Sequence, residues 1–486
     1  MSILTAEVKR DKTFLAFLRS FLGNEGGIGL CFALGAVVVF LKAEVQGMFV
    51  FVGLFSVVIA LCADLLASLP AFLFAAMFLI KCTDSYSTFI PYWWMVFFPA
   101  AGILFHFIAY RPNPKKNNLP PFRLTRGEMF APILAASIAI TAGGLGTITA
   151  KEYFGGASLY HMVMLGFGML AAYILFMNYI PASAGQKLRR YLPHLMAALG
   201  LFACLMVFHH YLTHFSTVLK TGTVLQFQWR NNVSTFLMLS IPFPFYLALK
   251  KPGWTVAGLA MFFALLLSGS RGALIFGTIE FLMCVAVLFT IDRRRRVPYL
   301  IVGGLMVVAA AVFAQDLFGF LGSTVNRLIT ITDQEVRMRL YERALTDFFH
   351  HPIFGTGIGY MGNRDVHPSK AFSLCWYHCE PLQILGSLGL VGVGAFVWQL
   401  IARCITFLKK RSAFHITLFI SYVGVEMMSL VNPGVFAPLP YLLLVTLFLA
   451  AAEKSRVAEA EETAAAAAVS TDSADPEPLQ IQTPTR

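Results

Sequence analysis

The chain has 486 residues, 58% of them hydrophobic and 13% charged, with a mean hydropathy of +0.71. A soluble globular protein carries about 25% charged residues, so a soluble fold is excluded. The apolar runs are continuous, where the strands of a transmembrane β-barrel would alternate. The net charge of +12 calls first for a topological explanation rather than a nucleic-acid partner.

In chain order the apolar runs place spans at roughly 26–43, 47–65, 68–82, 90–110, 129–149, 158–180, 192–212, 233–249, 254–269, 272–291, 297–314, 383–407, 413–431 and 437–452. Most approach the roughly 20 apolar residues that a hydrocarbon core requires. The expected fold class is all-α, a polytopic membrane protein of about 12–14 transmembrane helices. The expected division is a cytoplasmic segment (1–25), eleven spans (26–314), one large extracytoplasmic loop (315–382), three spans (383–452) and a disordered cytoplasmic tail (453–486). The tail is rich in Ala, Glu, Ser, Thr and Pro, and a short helical extension of the last span is allowed for at its start. The segment before the first span lacks the small-residue site of a cleavable signal, so none is expected. The eight cysteines lie mostly in apolar runs, as buried small residues do.

Charge fixes the expected orientation. With the N-terminus inside, the inner segments hold Lys9 to Arg19, Arg111 to Arg126, Lys187 to Arg190, Lys250 and Lys251, Arg293 to Arg296, Arg403 to Arg411, and Lys454, Arg456 and Arg486. These are 25 of the 37 basic residues. This positive-inside pattern puts both termini in the cytoplasm and the long loop outside.

That orientation gathers polar groups on the outer face. Arg230 lies in QFQWRNNVS at the outer start of a span, and Arg271 in LSGSRGAL, a tight outer turn. An arginine at membrane depth costs at least about 2.5 kcal/mol. Either Arg271 offers its fork of donors to a phosphate or diphosphate, or it snorkels to the interface. In the loop, VRMRLYERALTDFFH has helical periodicity, with Val336, Leu340, Leu345 and Phe348 as its apolar stripe and Arg337, Arg339 and Arg343 beside it. This predicts an amphipathic helix along the outer surface. GTGIGYMG has the wrong spacing for a dinucleotide fingerprint and no βαβ context, so it predicts a tight backbone turn. His378, between Cys375 and Cys379, has the chemistry of a general base, and equally that of an interfacial polar residue. A Cys375–Cys379 disulfide is open to it outside the cytoplasm. C-x-x-H-C alone is a weak zinc signal, and neither a metal nor a cofactor is expected.

Four segments together resemble the O-antigen ligase and polymerase family of bacterial membrane glycosyltransferases. They are RNNVSTFLMLSIPFPFYLAL (Arg230 to Leu249), SGSRGAL (Ser268 to Leu274), RMRLYERALTDFFHHPIFGTGIG (Arg337 to Gly359) and HCEPLQILGSLGLVG (His378 to Gly392). Tyr341, Cys379 and Ser387 stand where that family commonly has Trp, Asn and an acid. The resemblance implies a fold of the GT-C type. It implies a donor glycan on undecaprenyl diphosphate, a glycan or glycolipid acceptor, and transfer at the outer face of the bacterial cytoplasmic membrane without a metal. It implies catalytic roles for His378, Arg271 and Arg337, and substrate binding by Arg230, Arg339, Tyr341, Trp376, Tyr377 and Glu380. Two other readings stand beside it: a flippase or transporter of polyprenyl-linked glycans, and a catalytically degenerate family member.

Overall fold

The computed structural model describes residues 14–81, 88–117, 119–149, 162–181, 184–221, 227–301, 332–358, 376–432 and 439–472, with single residues at 225, 304, 308 and 322. Among them there are helices and turns and no strand. The helices used below are α1 (Phe14–Leu22), α2 (Glu25–Phe40), α3 (Glu44–Leu61), α4 (Leu69–Lys81), α5 (Phe97–Ala109), α6 (Phe130–Thr149), α7 (Met164–Tyr179), α8 (Ala184–Thr213), α9 (Phe215–Thr221), α10 (Phe227–Ser240), α11 (Pro242–Ala248), α12 (Trp254–Leu267), α13 (Ala273–Ile291), α14 (Thr332–His350), α15 (Glu380–Leu408), α16 (Ala413–Ser429) and α17 (Leu439–Asp472).

By length and composition, five helices of the described residues suit a membrane crossing: α3, Pro91–Ala109, α8, α13 and α15. The pair α1 and α2, bent by 75°, makes a sixth if counted as one span. The protein is an all-α, multi-pass membrane protein. Helices stand at the expected spans, except that most of the span expected over 297–314 lies outside the described residues. The span expected over 233–249 begins earlier, at Phe227, and divides into α10 and α11 at Ile241–Pro242. Proline at the head of α11 accounts for the division, because it offers no N–H to the preceding turn.

The axis of the bundle is α8, whose apolar stretch is 72% buried. It packs against α2, α10, α11, α12 and α17. Phe202 at its middle meets Phe74 at 5.0 Å, and Phe51 stacks on Phe74 at 5.8 Å, all with no exposed surface. A Cβ on Gly35 would come within 2.8 Å of the Phe202 ring, so that glycine lets α2 press against the cluster. Lipid cannot drive helices together by hydrophobicity, so this close fit is the cohesive term.

At one end of the bundle the basic segments expected inside meet acids. Lys187 pairs with Asp64 at 2.7 Å, Lys409 and Arg456 with Glu128 at 2.7 and 2.9 Å, and Arg189 and Lys410 with Glu459 at 3.2 and 2.6 Å. Arg403, counted in sequence among the inner loop cations, is not one of them: it lies within α15 and is buried.

The tail expected from residue 453 starts as helix. α17 runs on to Asp472, and its first turns past Ala452 are packed into the bundle. The Glu453 carboxylate accepts from the Glu128 and Met129 amides (2.8 and 3.3 Å), just before α6, and from the Tyr173 hydroxyl. The Lys454 ammonium donates to Met177 O and Ile180 O at the end of α7. Adjacent residues of opposite charge thus cap two helix ends of opposite polarity, each sign matching its dipole. This is why a sequence of low-complexity character is ordered here: Glu453, Lys454, Ser455 and Glu459 are all buried. Residues 473–486 of the expected tail lie outside the described residues.

Lys454→Met leaves two helix-end carbonyls unsatisfied, so the purified protein should lose about 1–3 kcal/mol of stability, read as a lower melting temperature in detergent. Lys115→Met, at an exposed lysine, should stay within about 0.5 kcal/mol of wild type.

Candidate active site

The long loop contributes α14, and the helix that follows it is broken. Within α15, Gly389 has φ 61° and ψ −158°, a conformation open to glycine alone at low cost. The break removes two intrahelical bonds, those that Leu390 and Val391 would give to Gly386 and Ser387. The segment after α14 replaces both. Leu390 N donates to Pro352 O (2.8 Å) and Val391 N to Ile353 O (3.1 Å), while Gly386 O accepts from Thr356 N (3.0 Å) and Ser387 O from Gly357 N (2.8 Å). The Thr356 hydroxyl adds a second bond to Gly386 O at 3.2 Å. A Cβ on Gly355 (φ 69°) would lie 2.3 Å from Ser387 C, and one on Gly389 would lie 2.6 Å from Ile353 C. The glycine turn expected over 355–362 is therefore a backbone clasp for a broken helix, over the residues described up to 358.

The clasp folds the outer half of α15, residues 380–388, back against its own continuation. Ile384 and Leu388 pack in one cluster with Phe396 of the inner half. α14 lies on this half-helix. Gly386 allows the contact: a Cβ there would meet Ala344 O at 3.0 Å and the Tyr377 ring at 3.1 Å. The buried face of α14 is Leu340, Ala344 and Asp347, not the stripe expected from sequence. Leu345 is exposed, and with Met338 and Phe349 it makes a second, outward apolar stripe that suits the membrane interface.

Between the clasp and α14 sits the stretch of chain bearing His378. Its φ is 55°, one of two positive values at non-glycine residues among those described. Such a conformation persists where surrounding structure dictates it and is concentrated at functional sites. The neighbours supply that dictation. Tyr377 N donates to the Gln383 side chain at 2.9 Å, whose amide donates to Ser387 Oγ at 2.8 Å. The Tyr377 hydroxyl donates to Asp347, which also pairs with Arg343 at 3.1 Å. Cys379 follows as the extended N-cap of α15 and makes no side-chain capping bond. Burial pushes its thiol pKa up.

The second group of expected residues forms around the SRG turn. Ser270 Oγ donates to Asn231 Oδ1 at 3.1 Å, which ties the neighbours of Arg271 and Arg230 to each other. The turn is held from α8 by Tyr211 Oη on Leu267 O at 2.6 Å. Gly272 fits against the end of α16, where a Cβ would meet Val431 at 2.7 Å. In this motif the serine couples two helix starts, the glycine packs, and Arg271 stands partly exposed at the head of α13.

The first turn of α17 stands between the two groups. Tyr441 donates to Asn232 O on the Arg230 side, and Leu442 packs in the cluster that includes Ile384 and Trp376. Arg230, Arg271, Arg337 and His378 are partly exposed and Arg339 is fully so. Tyr341 is half-buried within electrostatic range of both Arg337 and Cys379, burial raising its hydroxyl pKa and Arg337 opposing it. Two expectations need correction. Tyr377 has no exposed surface, so its ring is a packing element and offers no face to a sugar. Glu380 is turned inward, with 5% exposure. Cys375 and Tyr360 lie outside the described residues, as does any pairing of Cys375.

Three groups escape sequence reasoning. Asp347, the acceptor for Tyr377, is in sequence one more polar residue of an amphipathic helix. Glu280 is fully buried in α13 against Gly424 of α16. Arg403 is buried in α15. The available signal is the same for the last two, an ionisable residue inside a run of spanning length. A cavity lined in part by Ile133, Ser137, Phe396, Gln399, Arg403 and Thr446 lies beside Arg403.

Residues 256–397 match the family model described as O-antigen ligase. The matched stretch holds Arg271, Arg337, the clasp and His378, whereas Arg230 and Arg403 lie outside it. No curated protein matches the chain.

Gly355→Ala and Gly389→Ala each drive a Cβ into backbone and should cost more than the roughly 1 kcal/mol of ordinary glycine replacement. Each variant should melt lower than wild type in detergent. Cys379→Asn places a strong N-cap acceptor at the head of α15 and should raise stability by about 0.5–1 kcal/mol.

Proposed function

We propose, from the premise that residues 256–397 form an O-antigen ligase domain, that this protein moves a glycan from a polyprenyl diphosphate to an acceptor hydroxyl. The reaction takes place at the outer face of the bacterial cytoplasmic membrane, with both termini inside. The product is surface polysaccharide, joined to a glycolipid in a ligase or to another glycan chain in a polymerase. The observation that carries this reading is His378: a left-handed histidine beside the clasp, in the matched stretch, at the lip of a membrane helix.

The chemistry follows from charge. The acceptor oxygen attacks the anomeric carbon of the donor sugar while the bond from that carbon to the diphosphate breaks. The acceptor proton goes to His378, whose neutral imidazole is a base of suitable strength near pH 7. The bonding electrons leave with the lipid diphosphate. Arg271 and Arg337 stabilise that growing negative charge, with Arg230 and Arg339 as further donors. Fixed guanidinium groups do this without reorganising at the moment of reaction. Trp376 and Tyr341 are the aromatic surfaces left for the sugar once Tyr377 is assigned to packing.

A transport reading has one feature in its favour: the broken helix α15 with buried charge at Arg403 is a device that transporters use. The two readings separate in proteoliposomes. The enzyme reading expects a new glycosidic product in the presence of donor and acceptor. Transporter action would move the donor across the bilayer and leave it unchanged.

In the purified protein, His378→Ala and Arg271→Ala should each abolish transfer without altering membrane insertion. Wild-type rates in His378→Ala would rule out its role as base. The wild-type rate should fall as pH drops below about 6.5, because protonation removes the lone pair that accepts the proton. Cysteine labelling at Ser412 should occur from the cytoplasmic side and at Ser323 from the outside.

A further inference from the structure

Arg403 was expected in an inner loop and is found inside α15 with 5% exposure. Both terminal nitrogens of its guanidinium are engaged. Nη1 meets Glu426 of α16 at 3.2 Å, and Nη2 donates to Gln399 at 2.5 Å. Its carbon lies 5.7 Å from the centre of the Tyr422 ring. Glu380 also lies within electrostatic range of this guanidinium. In an unbroken helix the two residues, 23 positions apart, would be about 34 Å from one another. Only the fold-back at Gly389 brings them together. Glu380 opens the half-helix, is buried, and stands two residues from His378.

We propose that Arg403 is a positioning residue for glycan transfer: it draws Glu380 inward, seats the first turn of the half-helix, and so sets where the His378 ring stands. The inference rests on the transfer reading above. The clasp holds the C-terminal end of the half-helix through its backbone, and Arg403 holds the N-terminal end through charge. Glu426 and Gln399 keep the guanidinium aimed by binding its terminal nitrogens, as a buried cation requires. The chain then has no freedom to swing His378 away from its acceptor.

Two measurements test this on the full-length purified protein. The first compares Arg403→Lys, Arg403→Met/Glu426→Gln and Glu380→Gln with wild type for kcat and donor KM. The double variant removes the buried ion pair as a unit, so a merely structural role predicts wild-type turnover. Positioning predicts that kcat drops about 100-fold in the double variant with donor KM unchanged, that Glu380→Gln does the same, and that Arg403→Lys recovers part of kcat. Wild-type kcat in the double variant or in Glu380→Gln overturns the proposal, as does a change confined to KM. Should the double variant fail to fold, Glu380→Gln alone decides. The second measurement needs no activity. In a background cleared of the native cysteines, the pair Glu380→Cys and Arg403→Cys should be joined by a short bifunctional thiol reagent in the folded protein, and no cross-link would overturn the proposal. If wild type shows no transfer at all, the functional reading fails, while the cross-link still reports whether positions 380 and 403 meet.

Discussion

Four backbone hydrogen bonds across the break at Gly389 are the constraint on which the site depends. Within a membrane, an interrupted helix leaves amides and carbonyls that hydrocarbon cannot satisfy, at a cost of several kcal/mol each. The segment 352–357 meets these groups one for one. Its glycines exist for that contact, since side chains at 355 or 389 would occupy the space of the opposing backbone. The motif that reads as a loop and the motif that reads as the start of a span are two sides of one joint.

From that joint the remaining geometry follows. The half-helix turns inward, α14 settles on it through Ala344 and Gly386, and Tyr377 is buried with Asp347 as its acceptor. His378 is then the residue left at the surface in a strained conformation. The arginines reach the same end of the bundle by another route. Asn231 and Ser270 couple the starts of α10 and α13, and the first turn of α17 separates this pair from the His378 side while touching both. A diphosphate with its charges spread over several oxygens suits cations presented from several helices, because no single helix face provides that breadth.

Helix content, span positions and the grouping of basic loops were legible in sequence, since each rests on long runs of apolar residues or on charge counted over whole loops. The chemistry-bearing motifs were legible too, because RNN, SRG and HCEPLQ each combine residue types that have little reason to be near lipid. What sequence concealed was tertiary. Gly389 looked like one more glycine in a span, and its left-handed φ depends on a partner 32 or more residues earlier. The face of α14 was misjudged because both its sides are apolar, so periodicity alone gave no direction for Leu345. Tyr377 resembled a sugar platform until its burial was known. The ordered start of the tail depended on Glu453 and Lys454 finding helix ends that no local pattern announces.

The break at Gly389 also bears on how the protein is made. As a straight rod, the 29 residues of α15 would extend about 43 Å, well beyond a hydrocarbon core of about 30 Å. A nascent span of that length tilts or strains the bilayer around it. The 352–357 segment is synthesised before α15, so its amides and carbonyls are already waiting when the helix enters the membrane. Docking then shortens the span to a length the bilayer accepts, and the same event completes the joint beneath His378. Maturation of the site and relief of hydrophobic mismatch are therefore one step in biogenesis, and a chain arrested before it would be inserted yet inert.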